Sequence, residues 1–413
     1  MSAETLLPPR APVRVAELDL ARPTELRRPG LGEVIAPTGR VLALVRRHGS
    51  PLGLVTAEDA SGDPDGLRRA LVAEAARRFG PVAGTARPPL SADASTVSVV
   101  VCTHNRTDLL PRCLDSLLSS PYPHLDVIVV DNAPTDDSTR LLVLLRYGDR
   151  VRYVREPVPG LARARNRGLA EARGEICAFA DDDLILDRDW VPALADGFRE
   201  APDVACVTGL VLPAELDTEA QVLLERYCGY AKGFTVRSWS LRDRSEDPLF
   251  PFATGRLGTG ANMAFRTDAL RALGGFDPAT STGTPAKGGE DLLAFLQVLT
   301  SGRRVVYRPD ALVWHPHRRS MAALDTQVFG IGAGFGAYLA AAVAHRPQLL
   351  AALLTRVPRG IWQTLHRGGT PPGEDDGLLV HLRRLELLGL LYGPFGYLRS
   401  VRLQRRAEDR ARP

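Results

Sequence analysis

The sequence predicts an α/β fold built on an open, mostly parallel β-sheet with helices on both faces. Short continuous apolar runs such as residues 97–102, typical of strands buried on both faces, alternate with stretches of helical periodicity. Three of these runs end in clusters of polar residues, at the position where such sheets bind ligands. The chain has 413 residues and is 45% hydrophobic, which is enough for one large core and smaller additional modules.

The elements of the central region follow one another in a regular alternation. Apolar runs predict buried strands, and apolar residues at helical spacing predict the helices between them. We expect strands at 97–102, 127–130, 151–154 and 176–180, and helices near 109–118, 138–147 and 161–172. This β-α-β-α order places residues 95–320 in one catalytic-type domain with an open parallel sheet.

Residues 1–94 are predicted to form a small α+β accessory module. Apolar runs at 41–45 and 52–55 flank a Gly-Ser-Pro turn and indicate a hairpin. Asp63-Pro64 predicts a helix cap followed by proline at the first helical position. Residues 81–95 contain three prolines without periodicity and read as a linker. The module carries no catalytic constellation, so we expect a role in docking or packing.

Residues 321–413 are predicted to form a helical extension. No charged residue occurs from 326 to 344, a length close to one membrane span, but many of these residues are glycine or alanine. We expect helices that pack on the catalytic domain or lie on the inner membrane face, with a true span as the alternative. The glycines at 330–336 lack the spacing of a dinucleotide loop. The terminal arginines suit anionic lipid or a solvated end: Arg399, Arg402, Arg405 and Arg406.

Composition excludes several function classes. The 52 basic and 48 acidic residues nearly balance, so the chain lacks the strong field expected of a nucleic-acid partner. The five cysteines are odd in number and contain no C-x-x-C pair, which argues against a disulfide framework or zinc knuckle. We therefore expect a reducing, cytoplasmic location, and the N-terminal residues show no secretory signal.

The polar strand ends indicate a site for a divalent metal. The first strand runs into residues 103–106, the second ends at Asp131-Asn132, and another ends at residues 181–183, three consecutive aspartates. Clustered carboxylates destabilise a protein unless cations or hydrogen-bond donors offset them. Magnesium and manganese accept one or two carboxylates together with phosphate oxygens. A metal bridging this cluster and a diphosphate is the simplest interpretation, and a solvated acidic turn is the alternative.

Five segments together resemble the family 2 glycosyltransferases, which have the glycosyltransferase A fold. They are SVVVCTHNR, VIVVDNAPTDDST, GLARARNRGLAEARGEICAFADDD, GTGANMAFR and GGEDL, in the family's order, and they span roughly residues 97–317. The N-terminal module and the C-terminal extension also resemble, more loosely, those attached to this family in actinobacterial proteins. The resemblance implies a nucleotide-diphosphate sugar donor, a divalent metal (Mn²⁺ or Mg²⁺) and an acceptor hydroxyl.

The resemblance also implies roles for individual residues. Asp131 would hydrogen-bond the base, Asp181 would approach the ribose, and Asp183 would bind the metal with His315 as a further ligand. Arg165 and Asn166 would brace the diphosphate; the alternative is a helix face that packs near the acidic strand end. The remaining predicted substrate-binding residues are Thr103, Asn105, Arg106, Asp182, Gly260 and Asn262.

Glu290 and Asp291 open an apolar helix, where acidic residues often occur simply because they suit the helix dipole. The family resemblance instead makes Asp291 the catalytic base, supported by Glu290. A hydroxyl is a poor nucleophile until a positioned carboxylate takes its proton. A lone base without a partner nucleophile predicts one displacement with inversion at the anomeric carbon.

The sequence thus predicts an inverting, metal-dependent, non-processive glycosyltransferase of the hexosyltransferase type. The Q-x-x-R-W motif of the family's processive synthases is missing, because Gln327 is followed by Val-Phe-Gly-Ile. Two alternatives are a sugar nucleotidyltransferase and a non-catalytic nucleotide-sugar-binding module. We expect no nucleic-acid partner, a role in cell-envelope or polysaccharide biosynthesis, and peripheral contact with an anionic membrane.

Overall fold

The structure is a computed structural model that describes residues 11–59, 62–80, 94–243, 247–356 and 376–411. Most of the linker predicted at 81–95 and the first ten residues lie outside the described residues. The fold class is confirmed: a large, mostly parallel sheet is covered by helices, with a small N-terminal sheet and a helical C-terminal part.

The N-terminal part forms a five-stranded sheet and one helix. The strands are β1 Arg14–Asp19, β2 Leu26–Arg27, β3 Val34–Ile35, β4 Gly39–Arg47 and β5 Ser50–Asp59, in the order β3-β2-β1-β4-β5, followed by helix α1 Pro64–Phe79. The predicted hairpin is the antiparallel β4–β5 pair, and Asp63 caps α1 through the backbone N–H of Asp65. Sequence reasoning missed β1 to β3.

The central part contains nine strands and seven helices among the described residues, and every predicted element is present. Its elements are β6 Val97–Thr103, α2 Leu110–Leu118, β7 Leu125–Asn132, α3 Ser138–Leu142, β8 Arg152–Glu156, α4 Leu161–Glu171, β9 Ile176–Asp181, β10 Ile185–Leu186, α5 Trp190–Gly197, β11 Val204–Pro213, α6 Glu219–Cys228, β12 Arg237–Trp239, β13 Asn262–Arg266, α7 Thr267–Ala272, α8 Glu290–Thr300 and β14 Arg304–His315. Two long helices follow, α9 Met321–His345 and α10 Asp376–Ala411.

The order of the strands brings the predicted site residues to one edge of the sheet. The order is β10-β14-β11-β13-β9-β6-β7-β8, with β12 also paired to β14. The strands β9, β6, β7 and β8 are parallel neighbours, so their carboxyl ends lie together. Thr103 is level with Asp131, and Cys102 is level with Asp181. All seven residues of β6 are buried, as the continuous apolar run predicts.

The N-terminal sheet shares a hydrophobic core with the central sheet. Val13, Leu42 and Leu44 are buried in one cluster with Leu312 and Trp314 of β14. A backbone bridge also joins Val13 to Leu216. The N-terminal sheet is therefore packed on the central sheet through a shared core.

The glycines of α9 allow it to lie unusually close to α10. A Cβ at Gly332 would lie 2.0 Å from the carbonyl oxygen of Glu386, and one at Gly336 would lie 2.3 Å from that of Leu390. Gly389 and Gly393 face α9 in the same way. These glycines therefore allow the two helices to pack closely. This agrees with the sequence analysis, which found no dinucleotide-loop spacing at residues 330–336.

In the described part of the chain, one helix, α9, is long and apolar enough to cross a membrane. Half of the most apolar 18-residue stretch of α9 is nevertheless buried inside the protein, as is common for a core helix. Tyr338 of α9 is fully buried, and its hydroxyl donates to the carbonyl of Phe252 in the central part. The contacts of α9 therefore match the expectation of a helix packed on the catalytic domain.

Candidate active site

The end of β6 is tied to the three aspartates that follow β9. The Thr103 hydroxyl donates to Asp182 Oδ2 at 2.7 Å, and Arg106 donates to Asp182 Oδ1 at 3.0 Å. Arg106 also reaches Asp183 Oδ2 at 3.3 Å, and its own side chain is 38% exposed. The parallel pairing of β6 and β9 produces this contact, and it leaves one partly exposed guanidinium facing the site.

Asp131, at the end of β7, is buried close to this cluster. Its Oδ2 accepts a hydrogen bond from the Tyr153 hydroxyl at 2.9 Å. Its Oδ1 is buried and has no hydrogen-bond partner among the described residues. Burial raises the pKa of Asp131 above its usual value, although Tyr153 opposes the shift. An unpaired buried carboxylate oxygen is costly, so this atom is suited to a ligand donor.

Arg165 links the aspartate cluster to the start of helix α8. Its guanidinium is 3% exposed and donates to Glu290 Oε1 at 3.0 Å, Asp181 Oδ1 at 3.3 Å and the carbonyl of Gly260 at 2.9 Å. Its face also lies over the ring of Phe276. Arg165 thus holds Asp181 and Glu290 in place through hydrogen bonds. These contacts agree with the alternative that this helix face packs near the acidic strand end.

Asp291 lies on the other side of Gly260 and is partly exposed. Its Oδ2 accepts from the Gly260 N–H at 2.7 Å, and its Oδ1 accepts from the Leu292 N–H at 2.9 Å. A Cβ at residue 260 would lie 3.0 Å from Asp291 Oδ2 and 3.2 Å from Arg165 NH1. A side chain at residue 260 would crowd both groups, so glycine suits this close approach, and two backbone donors fix the direction of the carboxylate.

The site carries more negative than positive groups. Five carboxylates face two guanidinium groups, which belong to Arg106 and Arg165; the carboxylates are those of Asp181, Asp182, Asp183, Glu290 and Asp291. Burial raises the pKa of Asp181 to about 6 and that of Glu290 to about 7, while Arg165 opposes both shifts. Such an excess of buried carboxylate is stabilised by a bound cation.

β10 pairs antiparallel with the end of β14, which places Ile185 opposite Trp314, and His315 is near enough to Asp183 for that carboxylate to act on its pKa. His315 Nδ1 lies 3.2 Å from His317 Nδ1, and His317 Nε2 lies 2.6 Å from Glu225 Oε1. Burial lowers the pKa of His315 to about 4, so the ring is neutral. When His317 Nε2–H donates a hydrogen bond to Glu225, His317 Nδ1 accepts one from His315 Nδ1–H, and His315 Nε2 keeps its lone pair.

No group of three or more His, Cys, Asp or Glu side chains within the described ranges is arranged to hold a metal alone. Asp183 and His315 each have an atom that could bind a divalent cation. Asp183 Oδ1 is buried without a hydrogen-bond partner in the described structure, and His315 offers a free nitrogen. Manganese and magnesium commonly complete such a set with phosphate oxygens and water.

Three predicted binding residues have other contacts. Asn262 is fully buried, and its side-chain amide donates to the carbonyls of Leu210 and Ala311 and accepts from Trp190 Nε1, so this side chain is engaged inside the core. Both amide atoms of Asn166 bind the backbone of Phe276, which again agrees with the packing alternative. Asn105 accepts from Thr135 and shapes the loop after β6.

Sequence reasoning missed the residues that support this site from a distance. Glu225 comes from α6, 92 positions before His317. Tyr230 packs its ring against both histidines, and Gln327 of α9 donates to its hydroxyl at 2.6 Å. A histidine pair after a predicted strand was the available signal, but its partners are visible only in the folded chain.

Comparisons with known proteins agree with this geometry. Residues 98–274 match the family described as Glycosyl transferase family 2. The chain is 25% identical over 244 residues to the glucosyl-dolichyl phosphate glucuronosyltransferase of Haloferax volcanii, covering 56% of this chain and 73% of that protein. It is 28% identical over 236 residues to the pre-mycofactocin glycosyltransferase of Mycobacterium tuberculosis, covering 57% of this chain but only 46% of that protein.

A solved structure with some likeness is the mannosyltransferase PcManGT of Pyrobaculum calidifontis, determined with GDP-Man and Mn²⁺. The TM-score is 0.43 at 22% identity, over 76% of each chain, a likeness too low to bear on function. The family match, together with the sheet and its acidic edge, identifies a glycosyltransferase domain. Residues 98–274, the greater part of the central domain, thus belong to glycosyltransferase family 2, as the sequence analysis predicts.

Proposed function

We propose that this protein is an inverting, metal-dependent glycosyltransferase that moves one hexosyl residue from a nucleotide diphosphate to an acceptor hydroxyl. The observation that carries the proposal is a continuous line of contacts. Asp291 binds the Gly260 N–H, the Gly260 carbonyl binds Arg165, and Arg165 binds Asp181 at the acidic strand end. A base candidate is thereby held at a fixed place beside a site suited to a metal and a diphosphate.

In this proposal Asp291 takes the proton of the acceptor hydroxyl as its oxygen attacks the anomeric carbon. The bond from that carbon to the phosphate oxygen breaks, and its electron pair leaves with the diphosphate. Gly260 and Leu292 N–H groups keep the carboxylate aimed. One displacement inverts the anomeric centre. A divalent metal held by Asp183 and His315 would supply charge stabilisation for the leaving diphosphate.

The donor side of the site is assigned to the ends of β6, β7 and β9. Asp131 has a buried oxygen free for the base, and Asp181 is close to where the ribose would lie. Thr103 and Arg106 hold Asp182 and Asp183 in place, while the partly exposed Arg106 also offers positive charge to phosphate. Arg165 and Glu290 act as positioning residues for Asp181, Gly260 and Asp291.

The reaction is tested with a panel of nucleotide sugars and manganese. We expect slow release of the nucleoside diphosphate from the correct donor, loss of that release with a chelator, and recovery when manganese or magnesium is returned. Proton NMR of a transfer product should show an inverted anomeric centre. Release of pyrophosphate would identify a nucleotidyltransferase, and binding without turnover under every acceptor condition would favour a binding module.

We also propose that the protein works at the cytoplasmic side of a membrane, in cell-envelope or polysaccharide biosynthesis. All five cysteines are free, which suits a reducing compartment. The absence of the Q-x-x-R-W motif supports single-sugar transfer over chain extension. A direct check is the length of the product: mass spectrometry should show addition of one sugar per acceptor.

A further inference from the structure

Helix α10 exposes a stripe of large apolar side chains. Leu391 is 78% exposed, and the neighbouring members of the stripe are more than half exposed: Leu387, Leu388, Phe395 and Leu398. The opposite side of the helix is used inside the protein, since Gly389 and Gly393 contact the backbone of α9. The spacing of the five exposed residues places them on one side of a helix. We call these five residues the apolar face of α10.

Basic residues lie at both ends of the apolar face. Arg383 and Arg384 precede it, and a second set follows it, all of them exposed: Arg399, Arg402, Arg405 and Arg406. From residue 387 to residue 406 the described chain contains no acidic residue. Glu386, the nearest acid, points inward and accepts from the Tyr227 hydroxyl of α6. The exposed surface of this part of α10 is therefore either apolar or positively charged.

This charge pattern decides between two occupants of the face. A second copy of α10 would bring arginines against arginines, because both ends of the face are basic in either a parallel or an antiparallel pair. An anionic lipid surface accepts the apolar side chains at its acyl boundary and pairs the arginines with its headgroups. We propose that the apolar face of α10 and its flanking arginines bind the surface of an anionic membrane.

The same helix is packed against the loop that precedes the candidate base. Ser400 Oγ accepts from the Ala286 N–H at 3.2 Å, and a Cβ at Gly396 would lie 2.6 Å from the Pro285 carbonyl. Docking of α10 would therefore hold residues 285–291 near the lipid surface. This inference rests on the membrane location proposed above. Its test measures binding and needs no turnover, so a failure of membrane binding can be distinguished from a failure of the proposed glycosyl transfer.

The test is co-sedimentation of the full chain with vesicles. One set is phosphatidylcholine alone, and the other contains equal parts of phosphatidylcholine and phosphatidylglycerol. We expect binding to the anionic vesicles, weakened by high salt. Leu391→Glu should lower the partition coefficient by more than about tenfold, since it removes an inserted apolar side chain. Arg402→Ala should lower it about fivefold, on anionic vesicles only.

A matched control is Leu145→Glu, because Leu145 is 84% exposed on the central domain. It should bind vesicles as the wild type does. Equal losses for Leu391→Glu and Leu145→Glu, or no binding of the wild type to anionic vesicles, would overturn the proposal. So would a wild-type dimer in light scattering that Leu391→Glu converts to monomer, because the face would then pair two copies. Equal melting temperatures of the variants confirm that each is folded.

Discussion

Two buried arginines in this protein are each held by two carboxylates, but they lie in different surroundings. Arg46 joins the N-terminal sheet to the central domain through Glu17 and Asp187, and it also donates to the Gly49 carbonyl. Arg165 joins Asp181 to Glu290. Around Arg46 the charges are nearly balanced, whereas around Arg165 further carboxylates follow on both sides.

The difference indicates what each cluster does. Arg46 Nε makes an ion-pair contact with Glu17 without a hydrogen bond, but each charged group around Arg46 has an oppositely charged neighbour. A buried cluster of this kind needs no ligand and acts as a rigid connection between parts. The cluster around Arg165 instead leaves Asp183 Oδ1 and Glu290 Oε2 buried without hydrogen-bond partners within the described residues. A bound divalent metal would supply the positive charge that this cluster lacks. The same chemistry is thus structural in one place and a candidate for catalysis in the other.

The largest effect should follow from Asp291→Asn, which keeps the shape of the side chain and removes its basicity. Turnover should fall about a hundred- to ten-thousand-fold, the usual contribution of a positioned base. Donor affinity should stay within about threefold, because the base makes little ground-state contact with the nucleotide. Asp183→Asn is the control and should weaken metal and donor binding as well. Normal turnover of a folded Asp291→Asn variant would show that the carboxylate is only a helix-terminal residue.

Arg46→Met tests the other half of the comparison. Removing one partner of a buried charge cluster costs about 3–5 kcal/mol of unfolding free energy, because Glu17 and Asp187 are left uncompensated. Denaturant unfolding should show this loss, while turnover per folded molecule stays near that of the wild type. Arg165→Met should lower both stability and turnover. If both variants lose turnover equally, the distinction between the two clusters is wrong.

A smaller effect is expected for Glu225→Gln, which weakens the hydrogen-bonded support behind His315. Changes to residues that orient a metal ligand typically lower metal affinity about 10- to 100-fold. Isothermal titration with manganese measures this directly, without any need for turnover. Glu219→Gln is the matched control, because Glu219 lies on the same helix and is exposed. Equal manganese affinity in the two variants would remove His315 from the metal site.

The smallest effect concerns the pair of His345 and Asp277, which lies outside both clusters and in which only the histidine is largely exposed. His345 Nε2 lies 3.0 Å from Asp277 Oδ2, and this hydrogen bond raises the pKa of His345 above 6.5. A raised histidine pKa adds stability that is fully present below pH 6.5 and is lost as the pH rises through the folded-state value. Because the histidine side chain is 41% exposed, we expect no more than about 1 kcal/mol. Melting temperatures of wild type and His345→Gln should converge at high pH.

The sequence is informative where the signal is local. Strand β6 is a continuous apolar run, and the aspartates at 181–183 follow another, so the alternation of strands and helices alone places both at one sheet edge. Partners that meet only through folding leave no such local signal. Arg46 and Asp187 are 141 positions apart, and Arg165 and Glu290 are 125 apart. No periodicity or motif connects residues at such separations.

Asn262 illustrates a different limit. The segment around it matches the family's pattern, but a motif identifies a position without saying which way its side chain points. In the structure β13 runs antiparallel between β9 and β11, and the asparagine amide turns into the core toward Leu210 and Ala311. The backbone of neighbouring Gly260, in contrast, does reach Asp291.

The contact between Gly289, the residue just before α8, and helix α9 bears on where the chain could be shortened. Gly289 adopts φ of 104°, and a Cβ there would lie 2.5 Å from the Gly334 carbonyl. Leu293 and Leu296 of α8 are buried in the same cluster as Ala337, Tyr338 and Ala341. A fragment that stops at residue 320 would uncover these side chains and remove the packing partner of α8, the helix that carries Asp291. A minimal enzyme built from this chain must therefore keep α9, although α9 carries none of the assigned chemistry.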